Sequence, residues 1–193
     1  MKNLPTIRIK NNYLLEDRFE LPKLPEKVVK EYEKAWFKDN IGERILRAMT
    51  SVTGLTFAQN IIDVYIVNPD IRWSISDPMI LGGGIKPSEM PRWLAHELIH
   101  RLAADNTTGI NWHFVTQKVY KHKYKKESIS TLNHVMIHAI LEAIYTKLGL
   151  TNEIIHDIED HKNNHNYARA WEIVEAEGYQ KIIEKISNGI QLL

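Results

Sequence analysis

Two histidines and a glutamate stand together at residues 96–100, which read His-Glu-Leu-Ile-His. Side chains four residues apart share one face of a helix, so His96 and His100 can direct their imidazoles at one metal ion. Zinc held by such a pair lowers the pKa of a coordinated water from about 15.7 to about 7. Glu97 can take the proton of that water as general base and return it to a leaving amine. The spacing therefore predicts hydrolysis by zinc-activated water.

This segment is the HExxH motif, which is typical of zinc metallopeptidases. Its neighbours are apolar on both sides, a pattern that predicts a helix buried on nearly every face. Histidine and glutamate are unfavourable in such a helix unless something satisfies them, which favours a metal site. The alternative is a core helix without metal, whose histidines are hydrogen-bonded. Arg101, directly after the motif, departs from zinc peptidases, where this position is usually small or uncharged.

A catalytic zinc site also needs a third protein ligand, with water in the fourth position. The metzincin pattern requires a glycine and a histidine three and six residues after the second histidine, and those positions hold Ala103 and Asn106. That class is therefore excluded. The chain has no cysteine, so the remaining ligand must be a histidine, an aspartate or a glutamate. We expect one zinc ion per chain.

The helix predicted for residues 130–148 offers the third ligand. Its apolar stretch is interrupted by His134, His138 and Glu142, which are spaced four residues apart and form one polar stripe. The third ligand is therefore His138 or Glu142. We favour His138, because Glu142 then orients it as carboxylates orient other zinc-bound histidines. His134 becomes a neighbour of the substrate or of a ligand, or else a hydrogen-bonded core histidine.

With HELIH in one helix and His138 and Glu142 in the next, the chain resembles a small zincin-fold metallopeptidase similar to the gluzincins. The resemblance covers roughly residues 61–148 and is specific at HELIH; gluzincins carry an acid four residues after their glutamate ligand, where this chain has Thr146. In zincins an edge strand lines the cleft and pairs with an extended peptide. The resemblance implies a peptide or protein substrate and an edge strand within residues 61–67 or 71–81. It also implies a His or Tyr that donates to the oxyanion, for which the candidates are His134, Tyr145 and Tyr167.

The elements that must position these residues indicate an α+β protein. We predict a small N-terminal β-sheet followed by a mostly helical region, zincin-like, with an HExxH active-site helix and a separate ligand helix. Alternating and β-rich segments predict strands at 6–10, 61–67 and 71–76. Helical spacing with capping and turn residues predicts helices at 25–38, 43–52, 87–104, 111–124, 130–147, 152–160, 165–177 and 179–187. No shift in composition marks a boundary, so we predict one domain over residues 1–193.

The composition excludes several classes of protein. A chain of 193 residues with 44% hydrophobic and 25% charged residues is ordinary for a globular protein. Its net charge of +1 argues against a globally basic nucleic-acid binder, and the lack of cysteine excludes disulfide scaffolds, thiol catalysis and iron–sulfur clusters. No stretch approaches the ~20 apolar residues of a membrane span, and the N-terminus lacks the apolar core of a signal peptide. We expect a cytoplasmic protein that does not associate with membranes.

Two polar segments support other interpretations. Residues 118–126 (KVYKHKYKK) hold five lysines and two tyrosines, which suit phosphates and bases, although such a run is more often a solvated surface. The alternative function is a non-catalytic zinc-binding scaffold, or a nucleic-acid-associated protein that uses this basic segment. Residues 156–165 (HDIEDHKNNH) predict a solvated helix end, with a second metal site or the third ligand as the less favoured interpretation.

Overall fold

The computed structural model describes residues 4–12, 17–18, 20, 22–106 and 112–191, with side chains up to residue 188. The protein is α+β, with a small early sheet and a mostly helical remainder, so this part of the sequence prediction is confirmed. Its contacts divide the chain into two compact units, Met1–Arg47 with Phe57–Arg101 and Ala48–Thr56 with Leu102–Leu193. The prediction of a single domain stays a prediction. The N-terminal segment, where the sequence predicts no signal peptide, lies partly outside the described residues.

The first unit contains the sheet and the start of the HELIH helix. Its strands are β1 (Thr6–Asn11), β2 (Ile61–Val67), β3 (Ser74–Ser76) and β4 (Met79–Gly82). Its helical elements are α1 (Glu26–Phe37), a 3-10 turn (Lys38–Asn40), and the first parts of α2 (Ile41–Thr53) and α3 (Met90–Asp105). The sequence does not predict strand β4. Its four residues are all buried, so they lack the alternation of apolar and polar residues that indicates a strand.

The sheet has the order β1-β2-β4-β3. Strands β1, β2 and β4 run parallel, and β3 pairs antiparallel with β4, Ile75 lying opposite Ile80. Val64 and Ile66 of β2 are fully buried, as expected for an interior parallel strand. Of the two segments predicted to contain a substrate-lining edge, 61–67 is therefore interior, and 71–81 contains the edge strand β3.

Helix α3 carries the HELIH segment. It begins beside Pro91, a residue suited to a first helical turn, and its leucines Leu94 and Leu98 are completely buried. His96 and Glu97 are also buried, at 3% and 6% exposure. The predicted helix, buried on nearly every face, is thus confirmed over Met90–Asp105.

The second unit is a group of helices arranged around α5 (Ile129–Leu148). The others are α4 (Trp112–Tyr120), α6 (Asn152–His161), α7 (His165–Glu177) and α8 (Tyr179–Gln191). Ser128 caps the start of α5 by accepting from the Thr131 amide, and Gly149 ends it in the left-handed conformation, with φ of 70°. Helices α4, α7 and α8 pack against α5, and this burial accounts for the apolar residues on most of its faces. Among the described residues, no helix is both long and apolar enough to cross a membrane.

Candidate metal centre

The two histidines of the HELIH segment lie side by side on α3. Their ring centroids are 5.1 Å apart and the ring planes are inclined by 49°. A tetrahedral zinc ion about 2.1 Å from one nitrogen of each ring places two such centroids roughly 5 Å apart. A neutral imidazole binds a metal ion through the lone pair of one ring nitrogen. The spacing of the His96 and His100 rings therefore fits two ligands of one ion. His96 is buried and His100 half-buried, so the pair lies at the edge of the core.

Glu97, the predicted general base, is bonded to the edge strand of the sheet. The Ser74 hydroxyl, in β3, donates to Oε1 of Glu97 over 2.7 Å. Glu97 is 6% exposed and Ser74 is half-buried, so little water competes for this hydrogen bond. The edge strand thus contacts the residue to which the sequence assigns the proton transfer.

Arg101, which departs from the usual zinc-peptidase pattern, also contacts this part of the chain. Its Nη1 atom lies 2.7 Å from Oδ1 of Asp77, directly after β3. The Arg101 side chain is 14% exposed, whereas that of Asp77 is 77% exposed. Residues four apart share a helix face, and Glu97 and Arg101 both bond the β3–β4 hairpin. The charge at this position therefore has a structural partner.

In the second unit, the predicted polar stripe occupies α5. His134 and His138 are buried at 7% and 0% exposure, with ring centroids 5.7 Å apart, and Glu142 is half-buried. The His138 ring stacks on the indole of Trp171 from α7, at 4.4 Å and an interplanar angle of 12°. Trp171 therefore covers one face of the His138 ring. Such packing fixes the plane of an imidazole without using its nitrogens.

His134 is held in the neutral form. Burial, together with the nearby rings of His113 and His161, lowers its pKa to about 4 and outweighs the opposing effects of the hydrogen bond to Ser130 and the charge of Asp157. Nδ1 lies 2.8 Å from the Ser130 carbonyl oxygen. A carbonyl only accepts, so Nδ1 carries the proton and Nε2 carries the lone pair. This tautomer is the one found in metal-binding histidines whose other nitrogen bonds the backbone.

Glu142, the other candidate for the third ligand, lies in a different environment. Partial burial raises its pKa, and the negative charge of Glu175 on α7 raises it further. A carboxylate in this position gains from a nearby cation, because the cation offsets both effects. The choice between His138 and Glu142 as third ligand stays open, with His138 the more deeply enclosed of the two.

Helix α6 corrects the sequence prediction for residues 156–165. Asp157 and His161 are buried at 1% and 8% exposure, so the prediction of a solvated helix end is wrong for these two residues. The same helix exposes Ile155 and Ile158, at 64% and 42%. The signal in the sequence was the spacing of the aspartate and the histidine, four residues apart and hence on one face. The isoleucines obscured it, because apolar residues normally define the buried face.

Asp157 links α6 to α7. The Trp171 indole N–H donates to Oδ2 of Asp157 over 3.0 Å, and both groups are buried. His161 donates from Nδ1 to the Asp157 carbonyl oxygen at 2.9 Å and lies 3.4 Å from Oδ2. Burial by itself lowers the pKa of His161, but the bonds and charge of Asp157 outweigh it and raise the pKa. The carboxylate therefore fixes both Trp171 and His161.

The candidates for oxyanion donor differ in their surroundings. The Tyr167 ring lies 3.9 Å from that of His134 and 5.0 Å from that of His161, measured between centroids. Tyr145 is 1% exposed in the apolar part of α5, which indicates a packing role. His134 and Tyr167 therefore lie together among the buried histidines of the second unit.

The basic segment 118–126 is partly neutralised within the second unit. Lys123 and Lys185 both form ion pairs with Glu177, and the Tyr124 hydroxyl donates to Glu177 over 2.9 Å. The bond from Lys123, followed by those from Lys185 and Tyr124, lowers the pKa of Glu177 to about 2 despite burial. Tyr120 is 1% exposed, so its ring does not face a nucleic acid base. Both tyrosines that suggested base stacking are therefore engaged in the fold.

The candidate site residues thus lie on two well-formed helices. The first unit holds His96, Glu97 and His100 on α3, and the second holds the polar stripe on α5. Comparisons with models of known protein families, with curated proteins and with solved structures find no match.

Proposed function

We propose that the protein is a zinc-dependent peptidase of zincin type that hydrolyses peptide bonds, with Glu97 as general base. The observation that carries this proposal is the arrangement of α3. Two histidines lie at the separation expected for one zinc ion, and the glutamate between them is bonded to the edge strand β3. Two imidazoles and a carboxylate on one largely buried segment are unfavourable unless bonds or a metal ion satisfy them, and a zinc ion bound by both histidines would contribute to this.

In this proposal His96 and His100 are zinc ligands, and the third ligand stays the sequence prediction of His138 or Glu142. A bound zinc ion supplies Lewis-acid activation of water and of the scissile carbonyl. Glu97 takes a proton from the attacking water on its carboxylate and delivers it to the nitrogen of the leaving amine. The exclusion of bulk water around the buried carboxylate strengthens its interactions with the reacting groups.

The edge strand supports a peptide as the substrate. The Trp73 carbonyl accepts from the Gly82 amide over 2.9 Å, which makes this pair a hydrogen-bonded pair of the antiparallel ladder. Such pairs alternate, so the backbone groups of Ser74 and Ser76 point away from β4, toward the open edge of the described sheet. An extended peptide can pair there through its backbone, without the strand reading its side chains.

Substituting Glu97→Gln tests the proposal. Purified wild type and variant are loaded with zinc, assayed on a mixture of quenched fluorescent peptides, and analysed for metal content. We expect the variant to lose hydrolysis by at least about 100-fold, the scale of general-base catalysis, while it retains zinc. Glu43→Gln makes the same chemical change on an exposed helix face and serves as the matched control.

The assay also separates the peptidase from the alternative of a non-catalytic zinc-binding scaffold. A scaffold binds zinc but gives no hydrolysis that depends on Glu97. Equal rates for wild type and Glu97→Gln would therefore overturn the proposed function. The predicted cytoplasmic location and the possible contact with nucleic acids stay predictions.

A further inference from the structure

The hydroxyl of Ser74 joins the edge strand β3 to Glu97, the predicted general base, through a hydrogen bond. Ser74 is the first residue of β3 and is half-buried, and its Oγ donates to Glu97 over 2.7 Å. Serine contributes little to strand formation, whereas β-branched and aromatic residues favour it. The adjacent residues Trp73 and Ile75 are 46% and 41% exposed, so alternation directs Ser74 to the opposite, α3-facing side. A small donor thus occupies the position that meets the carboxylate.

A glutamate carboxylate has a terminal torsion that is only weakly restricted. A hydrogen bond to one of its oxygens fixes the plane of the group, and bonds to ionised acceptors are roughly twice as strong as neutral ones. A general base must lie within hydrogen-bond distance of the proton that it removes, so misplacement by about 1 Å is enough to lose much of the rate. The bond from Ser74 therefore has a physical means of affecting turnover.

A second contact holds the hairpin in place. Arg101 lies one turn after Glu97 on α3, and it pairs at 2.7 Å with Asp77, three residues after Ser74. The helix therefore holds the hairpin at two points, through Ser74 and through Asp77. Because Arg101 is 14% exposed, most of its side chain is packed, which restricts the movement of its partner.

We propose that Ser74 is a positioning residue that orients the Glu97 carboxylate for proton transfer, and that the ion pair between Arg101 and Asp77 keeps β3 where Ser74 reaches it. This inference rests on the proposed peptidase function. It assigns to Arg101, the residue that departs from the usual pattern, the task of holding the edge strand against the HELIH helix. Neither Ser74 nor Arg101 needs to contact the substrate for this role.

The test compares Ser74→Ala, Ser74→Thr, Arg101→Gln and the control Ser88→Ala, which makes the same change at an exposed serine outside the sheet. Each zinc-loaded variant is assayed for kcat and KM on one peptide that the wild type cleaves, and for zinc content. We expect Ser74→Ala to lower kcat about tenfold, with KM and zinc content unchanged, since one hydrogen bond to a charged group has that weight. Ser74→Thr, which keeps the hydroxyl, restores most of kcat. Arg101→Gln lowers kcat less than Ser74→Ala does, and Ser88→Ala stays within twofold of the wild type.

Thermal unfolding gives a readout that does not depend on activity. Because Ser74 bonds Glu97, we expect Ser74→Ala to lower Tm by roughly 2–4 °C in the wild type and by much less in a Glu97→Ala background. If the wild type is active and Ser74→Ala has the same kcat, the inference is overturned and the proposed function stays intact. A zinc-loaded wild type without hydrolysis overturns the proposed function and this inference with it. A loss of kcat that threonine does not restore overturns the role assigned to the hydroxyl.

Discussion

Trp171→Phe is the substitution whose effect follows most directly from the buried contacts of the second unit. It removes the indole N–H that donates to Asp157 over 3.0 Å and leaves the ring stacked on His138. A hydrogen bond to a charged group contributes about 1.5–3 kcal/mol, and its loss leaves a carboxylate of 1% exposure with one donor fewer. The smaller ring adds a packing loss of about 1 kcal/mol. We therefore expect the free energy of unfolding to fall by about 3 kcal/mol and Tm by roughly 6–12 °C.

Urea unfolding followed by circular dichroism measures this loss, and a double-mutant cycle isolates the hydrogen bond. Trp171→Phe and Asp157→Ala are compared singly and together. If the bond contributes as described, the double variant is less destabilised than the sum of the singles by about 1.5–3 kcal/mol. Additivity within about 0.5 kcal/mol would refute the reasoning. Asp157→Asn keeps an oxygen acceptor without the charge, and we expect it to retain part of the coupling.

Two further predictions concern pH. In the zinc-free protein, a His134 pKa of about 4 means that the unfolded chain binds a proton below pH 6.5 while the folded one does not. The free energy of unfolding therefore decreases between pH 6.5 and pH 4, by up to about 3 kcal/mol. Urea unfolding midpoints measured at pH 7, 5 and 4 should decrease less steeply for His134→Gln than for the wild type. Equal decreases for the two proteins would contradict this prediction. The pKa of Glu177, lowered to about 2, means that its ion pair with Lys123 stabilises the fold above about pH 4.5 and is lost as the pH falls toward 2. Glu177→Gln should lower Tm by roughly 2–4 °C at pH 7 and leave it unchanged near pH 2; an equal decrease at both pH values would show that the charge is irrelevant.

Much of the arrangement could be predicted from the sequence because local patterns determine it. The HELIH spacing, the apolar run around it and the Ser128 and Gly149 ends of α5 each signal their element without tertiary information. The resemblance implies only that an edge strand within residues 61–67 or 71–81 lines the cleft, and β3 lies in the second of these segments. Its bond to Glu97 depends on how the hairpin packs against α3, and no periodicity records such a contact.

Other features could not be predicted because tertiary packing reverses the local preference. Helix α6 turns Asp157 inward and Ile155 outward, although burial of apolar surface alone would favour the opposite. The aspartate is satisfied by Trp171, fourteen residues later, which offsets the cost of burying a charge. Departures of this kind concentrate at functional sites, where several levels of sequence preference are sacrificed together.

The metal content of the purified protein tests the central claim most directly. Protein prepared without added metal is analysed by elemental mass spectrometry, for the wild type, for His138→Ala and for Glu142→Ala. We predict about one zinc per wild-type chain and loss of that zinc in one of the two variants, which would identify the third ligand. A wild type that carries no metal, and takes up none on titration with zinc, would contradict the account and leave HELIH as a buried helix without catalytic function.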